Sequence, residues 1–411
     1  MPTLLVTPQD GLLDEPRRIF AGGFAAGQQV LLHSRTRRGG GVVWASAATF
    51  IADAEGRLDL ERDAPLAGGY SVAASQGLLW SQQPVGEKGA GVFPDDVLEP
   101  LVTEIAFEGS DQPVTLVQRL AAAGVQRREV REDGLVGTLF TPAGEGPHPA
   151  VVVLNGSGGG INEARAALYA SHGYAALALG YFKAPGLSPY ISNTPLEYFE
   201  TGLAWVRREV QPAGGFVALS GQSRGGELVL LLGSLFPQEV SAVIGYVPSA
   251  LVHGGQAAAD PAVGRDGPCW LYRGEPLVHL WNGNRTGNWQ ARDAGQRNAV
   301  SISTALQDEA AVARAAIAVE KIRGPVLLLS AGDDAAWPSS LFSEMATRRL
   351  REAGHRWPVV HLDFPEAGHT ILLPNIPVTH NDDGAPLPNA VANEQSWAAV
   401  KRFLREAAAS A

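Results

Sequence analysis

Two rhythms of apolar and polar residues run along the chain. Up to about residue 125 the apolar positions come in short β-like runs: "QQVLLHSRT", "VVWASAATFIA" and "GGYSVAAS" are rich in Val, Thr, Ile and aromatics. "GG", "ADAEG" and "DAPLAGG" separate them, a spacing that predicts a small β-sandwich. "EGSDQPVTLVQRLAAAGVQRREVRED" then bridges to a region of different rhythm. There "REVREDGLVGTLFTPAGEGPHPAVVVLN" predicts a strand pair, a Pro/Gly turn and a buried strand. "INEARAALYASHG" predicts a helix closed near Gly173, and "YAALALGY" a buried strand. In "PLEYFETGLAWVRREV", Leu196, Phe199, Leu203 and Val206 recur at helical spacing. "FVALSG" (strand), "RGGELVLLLGSLF" (helix), "AVIGYVPS" and "PVLLLSAG" (strands) and "EQSWAAVKRFLREAA" (amphipathic helix) continue the alternation. Strands alternating with helices imply a mostly parallel sheet covered on both faces. "HGGQAAADPAVGRDGP" is the stretch expected to be a mobile insertion.

Length and charge narrow this picture. A chain of 411 residues suits two domains, and 45% apolar with 18% charged residues is ordinary globular composition. The net charge of −10 argues against a general nucleic-acid binder. A single cysteine, Cys269, excludes an internal disulfide framework and a cysteine-rich zinc site. The N-terminal "MPTLLVTPQDGLLDEP" has no basic n-region, and no run approaches the roughly 20 apolar residues of a membrane span. The expectation is a cytoplasmic protein with no cofactor, no metal, no nucleic acid and no membrane among its partners. Oligomeric state is not written in the sequence.

The chemistry concentrates in "GQSRG", residues 221–225. This is G-x-S-x-G between a strand and a helix, the pattern of a nucleophile elbow on an α/β-hydrolase sheet. It makes Ser223 the candidate nucleophile, while in a chain with 48 glycines the bare pattern also arises by chance. Its partners are expected in the order Ser, acid, His. "GPVLLLSAGDDAAWPSS" ends an apolar strand in Asp333 and Asp334, either of which also suits a turn or a helix cap before a helix at Pro338. Asp334 is preferred and Asp333 is its rival. "VVHLDFPEAGHTILLP" puts His369 in a loop after a late strand, as the candidate base. His33, His148, His172 and His361 lie on structural stretches or in the first half, and His253, His279, His355 and His380 do not follow a late strand in this order. "VVVLNGSGGG" supplies a loop whose Ser157 N–H, or next Gly158 N–H, would join the Arg224 N–H as an oxyanion hole. It lacks the G-K-[ST] of a phosphate loop and the spacing of a dinucleotide fingerprint.

Across nearly the whole chain, long strings occur in the order of one family. "GGFAAGQQVLL", "ADAEGRLDLERDAPLAGGY" and "GLLWS" lie in the first half; "ARAALYASHGYAALALGYF", "GQSRGGELVLLLGS", "YRGEPL", "SAGDDAAWPS" and "FPEAGHTI" lie in the second. The chain resembles the acyl-CoA thioesterase / bile acid-CoA:amino acid N-acyltransferase family. The resemblance implies an immunoglobulin-like β-sandwich over residues 1–125, an α/β-hydrolase domain over residues 126–411, and the triad Ser223, Asp334 and His369. It aligns the family's acid with the second Asp of the pair. The N-acyltransferase branch looks to a cysteine where this chain has Ser223, so hydrolysis of acyl-CoA to free acid and CoA through an acyl-serine is the expected reaction. Another serine hydrolase activity (esterase, lactonase or peptidase) and acyl transfer to an amine are the alternatives. Two features depart from expectation. Arg224 stands where a small apolar residue would be usual, and would meet either a substrate anion or Glu227. The segment His253 to Arg273 is expected to border the acyl pocket. Arg35, Arg37 and Arg38 form a basic cluster, expected to be a solvated hairpin tip rather than a phosphate contact.

Overall fold

The computed structural model describes residues 2–410 except 87–90, 111 and 380–383, so His380 lies outside the described residues. The chain divides into two compact units, Met1–Ala122 with Leu372–Gln395, and Ala123–Ile371 with Ser396–Ala411. The first unit thus takes in a late segment that no change in the sequence rhythm marks.

In the first unit, strands Thr3–Thr7, Arg18–Gly22 and Arg57–Asp59 make a three-stranded sheet. A larger sheet is built around Val114–Arg119, Leu101–Phe107, Gln29–Arg37 and Val43–Ile51. Burial alternates along Gln29–Arg37, so Val30, Leu32, Ser34 and Thr36 turn inward, as period-2 patterning requires. Inward residues of both sheets, among them Val6, Ile19, Leu32, Phe50 and Leu116, share one apolar core. Three expectations need correcting here. In "GGYSVAAS" only Gly68 is paired, in the short strand Ala67–Gly68, because the chain then turns to sink Tyr70 against Trp80, ring centroids 5.3 Å apart. The presumed bridge holds two sheet strands, Val114–Arg119 of this unit and Gln126–Val130 of the other. Arg38 is not solvated: it is 2% exposed and donates to Gln82 Oε1 at 3.1 and 3.3 Å and to Val92 O at 2.8 Å. Burial pushes its guanidinium down to about 9.

The second unit is organised by eight strands: β1 Gln126–Val130, β2 Val136–Thr141, β3 Ala150–Leu154, β4 Ala175–Gly180, β5 Val217–Gln222, β6 Ala242–Tyr246, β7 Val326–Ala331 and β8 Val359–Phe364. Their order in the sheet is β1-β2-β4-β3-β5-β6-β7-β8, with β1 and β2 antiparallel and β3 to β8 parallel. This is the α/β-hydrolase arrangement. Strands β3, β4, β6 and β7 are buried at every position, as expected of parallel strands covered on both faces. The main connecting helices are α1 Glu163–Ser171, α2 Glu197–Glu209, α3 Arg224–Leu235 and α4 Ser339–Glu352; α5, Pro386–Ala409, belongs to this unit from Ser396 onward. Asn162 caps α1 by accepting from the Arg165 N–H, and Gly173 follows its end at φ 92°. Residues 253–268 are folded back on themselves: Gly255 N–H donates to Gly267 O, Gln256 N–H to Arg265 O, and His253 is fully buried. The polar, Gly-rich composition that suggested mobility is absorbed by backbone hydrogen bonds. Among the described residues no helix is long and apolar enough to cross a membrane.

Candidate active site

Strand β5 ends at Gln222 and helix α3 begins at Arg224, so the reversal falls on one residue, Ser223. Its backbone sits at φ 56° and ψ −118°, a strained conformation for a residue with a side chain, worth of order 1–3 kcal/mol. The Ser223 N–H is tied to Tyr246 O at 2.8 Å, which helps hold the strain. The glycines of G-x-S-x-G are needed for approach. A Cβ on Gly221 would lie 2.0 Å from Gly225 O, and one on Gly225 would lie 2.5 Å from Leu154 O. The turn therefore lifts Ser223 Oγ above the carboxyl end of the sheet, where ligands bind in such folds.

The other two candidates arrive from the ends of β7 and β8. His369 lies in the loop after β8, and its Nε2 is 2.7 Å from Ser223 Oγ. Its Nδ1 is 2.8 and 2.9 Å from the two carboxylate oxygens of Asp334, in the turn after β7. Asp334 also accepts the Ala336 and Trp337 N–H groups at 2.9 and 3.1 Å, so it is both a turn aspartate and the partner of His369. These bonds fix the buried carboxylate, 6% exposed, toward the imidazole. Asp333 turns the other way, to solvent, and pairs with Arg297 at 2.6 Å. None of the other described histidines is bonded to Ser223. His253 bonds Ser249 Oγ, His355 bonds Gly324 O, and His361 bonds Ser330 Oγ.

The loop after β3 runs beside the serine. A Cβ on Gly156 would come within 3.1 Å of Ser223 Cβ, so any side chain there would crowd the serine. Gly156 O accepts the Gly159 N–H, Asn155 Nδ2 donates to Gly159 O, and Tyr181 Oη donates to Asn155 O, which together fix a tight turn centred on Ser157 and Gly158. Among the described residues, the Ser157 and Arg224 N–H groups have no acceptor of their own. The second of these opens α3, where helical N–H groups have no acceptor in the preceding turn.

The Arg224 side chain is withdrawn from any ligand: it is fully buried. It donates to Glu227 Oε2 at 2.7 Å and to Gly254 O at 2.9 Å. Glu227 Oε1 in turn accepts Trp270 Nε1 at 2.8 Å and the His253 N–H at 3.3 Å. Burial pushes the Glu227 carboxyl up, opposed by the Arg224 charge. The i, i+3 spacing of Arg224 and Glu227 was the one legible hint of this network. Trp337 was missed. Its Nε1 donates to Val247 O at 2.9 Å, its ring meets His369 edge to face at 5.9 Å, and the Arg224 guanidinium lies 5.6 Å from it.

With this geometry in place, comparisons with known proteins become informative. Residues 14–132 match the family profile described as acyl-CoA thioester hydrolase/BAAT N-terminal region, and residues 194–410 that described as BAAT / acyl-CoA thioester hydrolase C terminal. Acyl-coenzyme A thioesterase 6 of Mus musculus is 32% identical over 96% of this chain and 93% of its own length. Acyl-coenzyme A thioesterase 1 of Homo sapiens is 31% identical with the same coverages, and the human acyl-coenzyme A thioesterase 2, mitochondrial, is 31% identical over 96% of this chain and 81% of its own. Among solved structures, an acylaminoacyl peptidase of Pyrococcus horikoshii overlays 98% of this chain and 61% of that one at a TM-score of 0.46 and 15% identity, too distant to add to the topology.

Proposed function

The chain belongs to the acyl-CoA thioester hydrolase/BAAT family, and on that footing we propose that it hydrolyses acyl-CoA thioesters to a free acid and CoA through Ser223, His369 and Asp334. The observation that carries the reading is the unbroken chain of hydrogen bonds from Ser223 Oγ through His369 to Asp334. A serine hydroxyl is a weak nucleophile until a base takes its proton. His369 Nε2 is within reach to do so, and Asp334 holds the ring and stabilises the imidazolium. As Ser223 Oγ attacks the thioester carbon, negative charge moves to the carbonyl oxygen, which the N–H groups of Ser157 and Arg224 receive, with Gly158 N–H the alternative donor to Ser157. Collapse expels the CoA thiolate, which takes the proton from His369. Water, deprotonated by His369, then attacks the acyl-serine carbonyl, and on collapse the C–Oγ bond breaks, His369 returns the proton to Ser223 Oγ and the acid leaves.

Cys269 offers no rival nucleophile. It is buried, and burial pushes its thiol up, away from the thiolate that cysteine chemistry needs. We also read the N-terminal unit as an immunoglobulin-like sandwich, which its two sheets on one core support. A cytoplasmic setting, consistent with one free buried thiol, belongs to the same reading. The test is thiol release from short to long acyl-CoA esters, with and without glycine or taurine, with the acyl product identified by mass and Ser223→Ala as control. Free acid formed with a chain-length optimum supports the proposal. Amide in place of acid, or cleavage of simple esters without thiol release, refutes it.

A further inference from the structure

A cavity of about 590 Å³ lies at the edge of the sheet opposite the one that carries Ser223, His369 and Asp334. Its walls come from the chain just before the strands: Gly214 ahead of β5, Val240 and Ser241 ahead of β6, Gly324 and Pro325 ahead of β7, Pro358 ahead of β8. Helix α5 closes the remaining side with Phe403 and its neighbours. In a parallel sheet these are the amino ends of the strands, so the cavity is separated from the candidate active site by the length of the strands.

Its chemistry is unusual for a chain of net charge −10. Three arginines from three separate segments line it: Arg323, Arg356 and Arg402. One carboxylate among the described residues, Glu406, lines the cavity with them. Among the described residues none of the three arginines has a carboxylate within ion-pair distance. Some arginines of the same unit pair with carboxylates, as in Arg207–Glu239 and Arg208–Asp133, and others, such as Arg348 and Arg351, do not among the described residues; what sets Arg323, Arg356 and Arg402 apart is that they line one cavity. Three guanidinium groups gathered around one concavity repel one another and suit an anion that several of them bind at once. Trp357, in the same wall, presents a flat ring with the Arg356 guanidinium 4.6 Å from it. Phe403 adds a second aromatic surface. The volume falls within the range of small-molecule sites.

We propose that this cavity is a second ligand site, for a molecule that joins a planar heteroaromatic ring to phosphate groups, as an adenine nucleotide does. The ring lies against Trp357, and the phosphates are held by Arg323, Arg356 and Arg402. The proposal stands apart from the thioesterase reading, since it uses no residue of the Ser223 site.

The probes are ADP, adenosine and pyrophosphate, titrated calorimetrically into the Ser223→Ala chain at low and at physiological salt. ADP is expected to saturate one site, and adenosine and pyrophosphate each to bind at least about tenfold more weakly, because each lacks half of the contacts. Replacing Arg356 and Arg402 together by Ala is expected to weaken ADP about a hundredfold, with the melting temperature of the unliganded protein kept. Trp357→Leu is expected to bring ADP down toward pyrophosphate. Absence of ADP binding at millimolar concentration, ADP binding untouched by the arginine substitutions, or pyrophosphate binding as well as ADP would each overturn the proposal. A chain that binds ADP here but releases no thiol from any acyl-CoA keeps this inference and removes the proposed function.

Discussion

Glu227→Gln, Arg224→Met and their combination test whether the buried pair behind the nucleophile acts as one unit. Both side chains are fully buried and joined at 2.7 Å. Removing one partner of such a pair leaves a charge in a medium that solvates it poorly, typically at a cost of about 3–5 kcal/mol. The two single changes are not equivalent. In Glu227→Gln the guanidinium stays charged at pH 5 and pH 8, and its best acceptor is gone. With its oxygen kept for Trp270 Nε1 and the His253 N–H, the new amide sets its N–H₂ against Arg224; flipped, it sets the N–H₂ against those two donors instead. A loss of about 3 kcal/mol, or roughly 6 °C or more in melting temperature, is expected. In Arg224→Met the carboxyl escapes by taking up a proton, toward which burial already pushes it. That variant is therefore milder, and milder at pH 5 than at pH 8. The double variant has no buried charge. What remains is the unmet Gly254 carbonyl, an effect of about 1–2 kcal/mol. The double is thus expected to be more stable than Glu227→Gln alone, with a coupling of about 2 kcal/mol. Urea unfolding followed by tryptophan fluorescence, on the parent and the three variants at both pH values, reads every term. Additive losses, or a Glu227→Gln variant within 1 kcal/mol of the parent, would refute the reasoning.

Other outcomes follow from the same geometry. Ser223→Ala and His369→Ala should each abolish nearly all thiol release. Asp334→Asn should lower kcat by as much as about 10⁴-fold, as loss of a triad carboxylate can, while Asp333→Ala, which breaks only an exposed pair with Arg297, should leave kcat within a few fold; equal damage at both aspartates would reopen the choice of acid. Burial holds His279 down to about 4 from its ordinary 6.5, so the folded state resists a proton that the unfolded chain accepts. That stability is complete above pH 6.5 and is lost as pH falls toward 4, by about 3 kcal/mol, and urea melts of His279→Gln should show a shallower acid limb than the parent. Arg38→Gln should lower the stability of the protein and leave KM for acyl-CoA unchanged, because Arg38 is spent on Gln82 and Val92; a raised KM with an unchanged melting temperature would restore it as a phosphate contact.

The candidate site was legible because each member is announced by its own short string at the end of a strand: "GQSRG" after β5, "AGDD" after β7, "EAGH" after β8. Backbone mechanics dictate those strings locally, since a sharp reversal on Ser223 tolerates nothing larger than glycine at 221 and 225. Which of two adjacent aspartates faces the histidine is a different kind of fact. It depends on which way a turn is wound, and here the Ala336 and Trp337 N–H groups decide it by gripping Asp334. Spacing alone could not separate the two residues. The supports of the site were less legible for a related reason. Trp270 and Gly254 reach Glu227 and Arg224 across 43 and 30 positions of sequence, and neither carries a motif, only a donor or an acceptor in the right place. Polar residues that look solvated in a string, Arg38 and Arg224 above all, are buried because distant segments supply their partners. The same logic runs in reverse at the distal cavity. Arg323, Arg356 and Arg402 are scattered through the sequence and say nothing singly, and only the fold gathers them without a carboxylate to answer them. Three arginines with no carboxylate partner among the described residues, brought to one concave place beside an aromatic ring, are the observation that calls for a ligand.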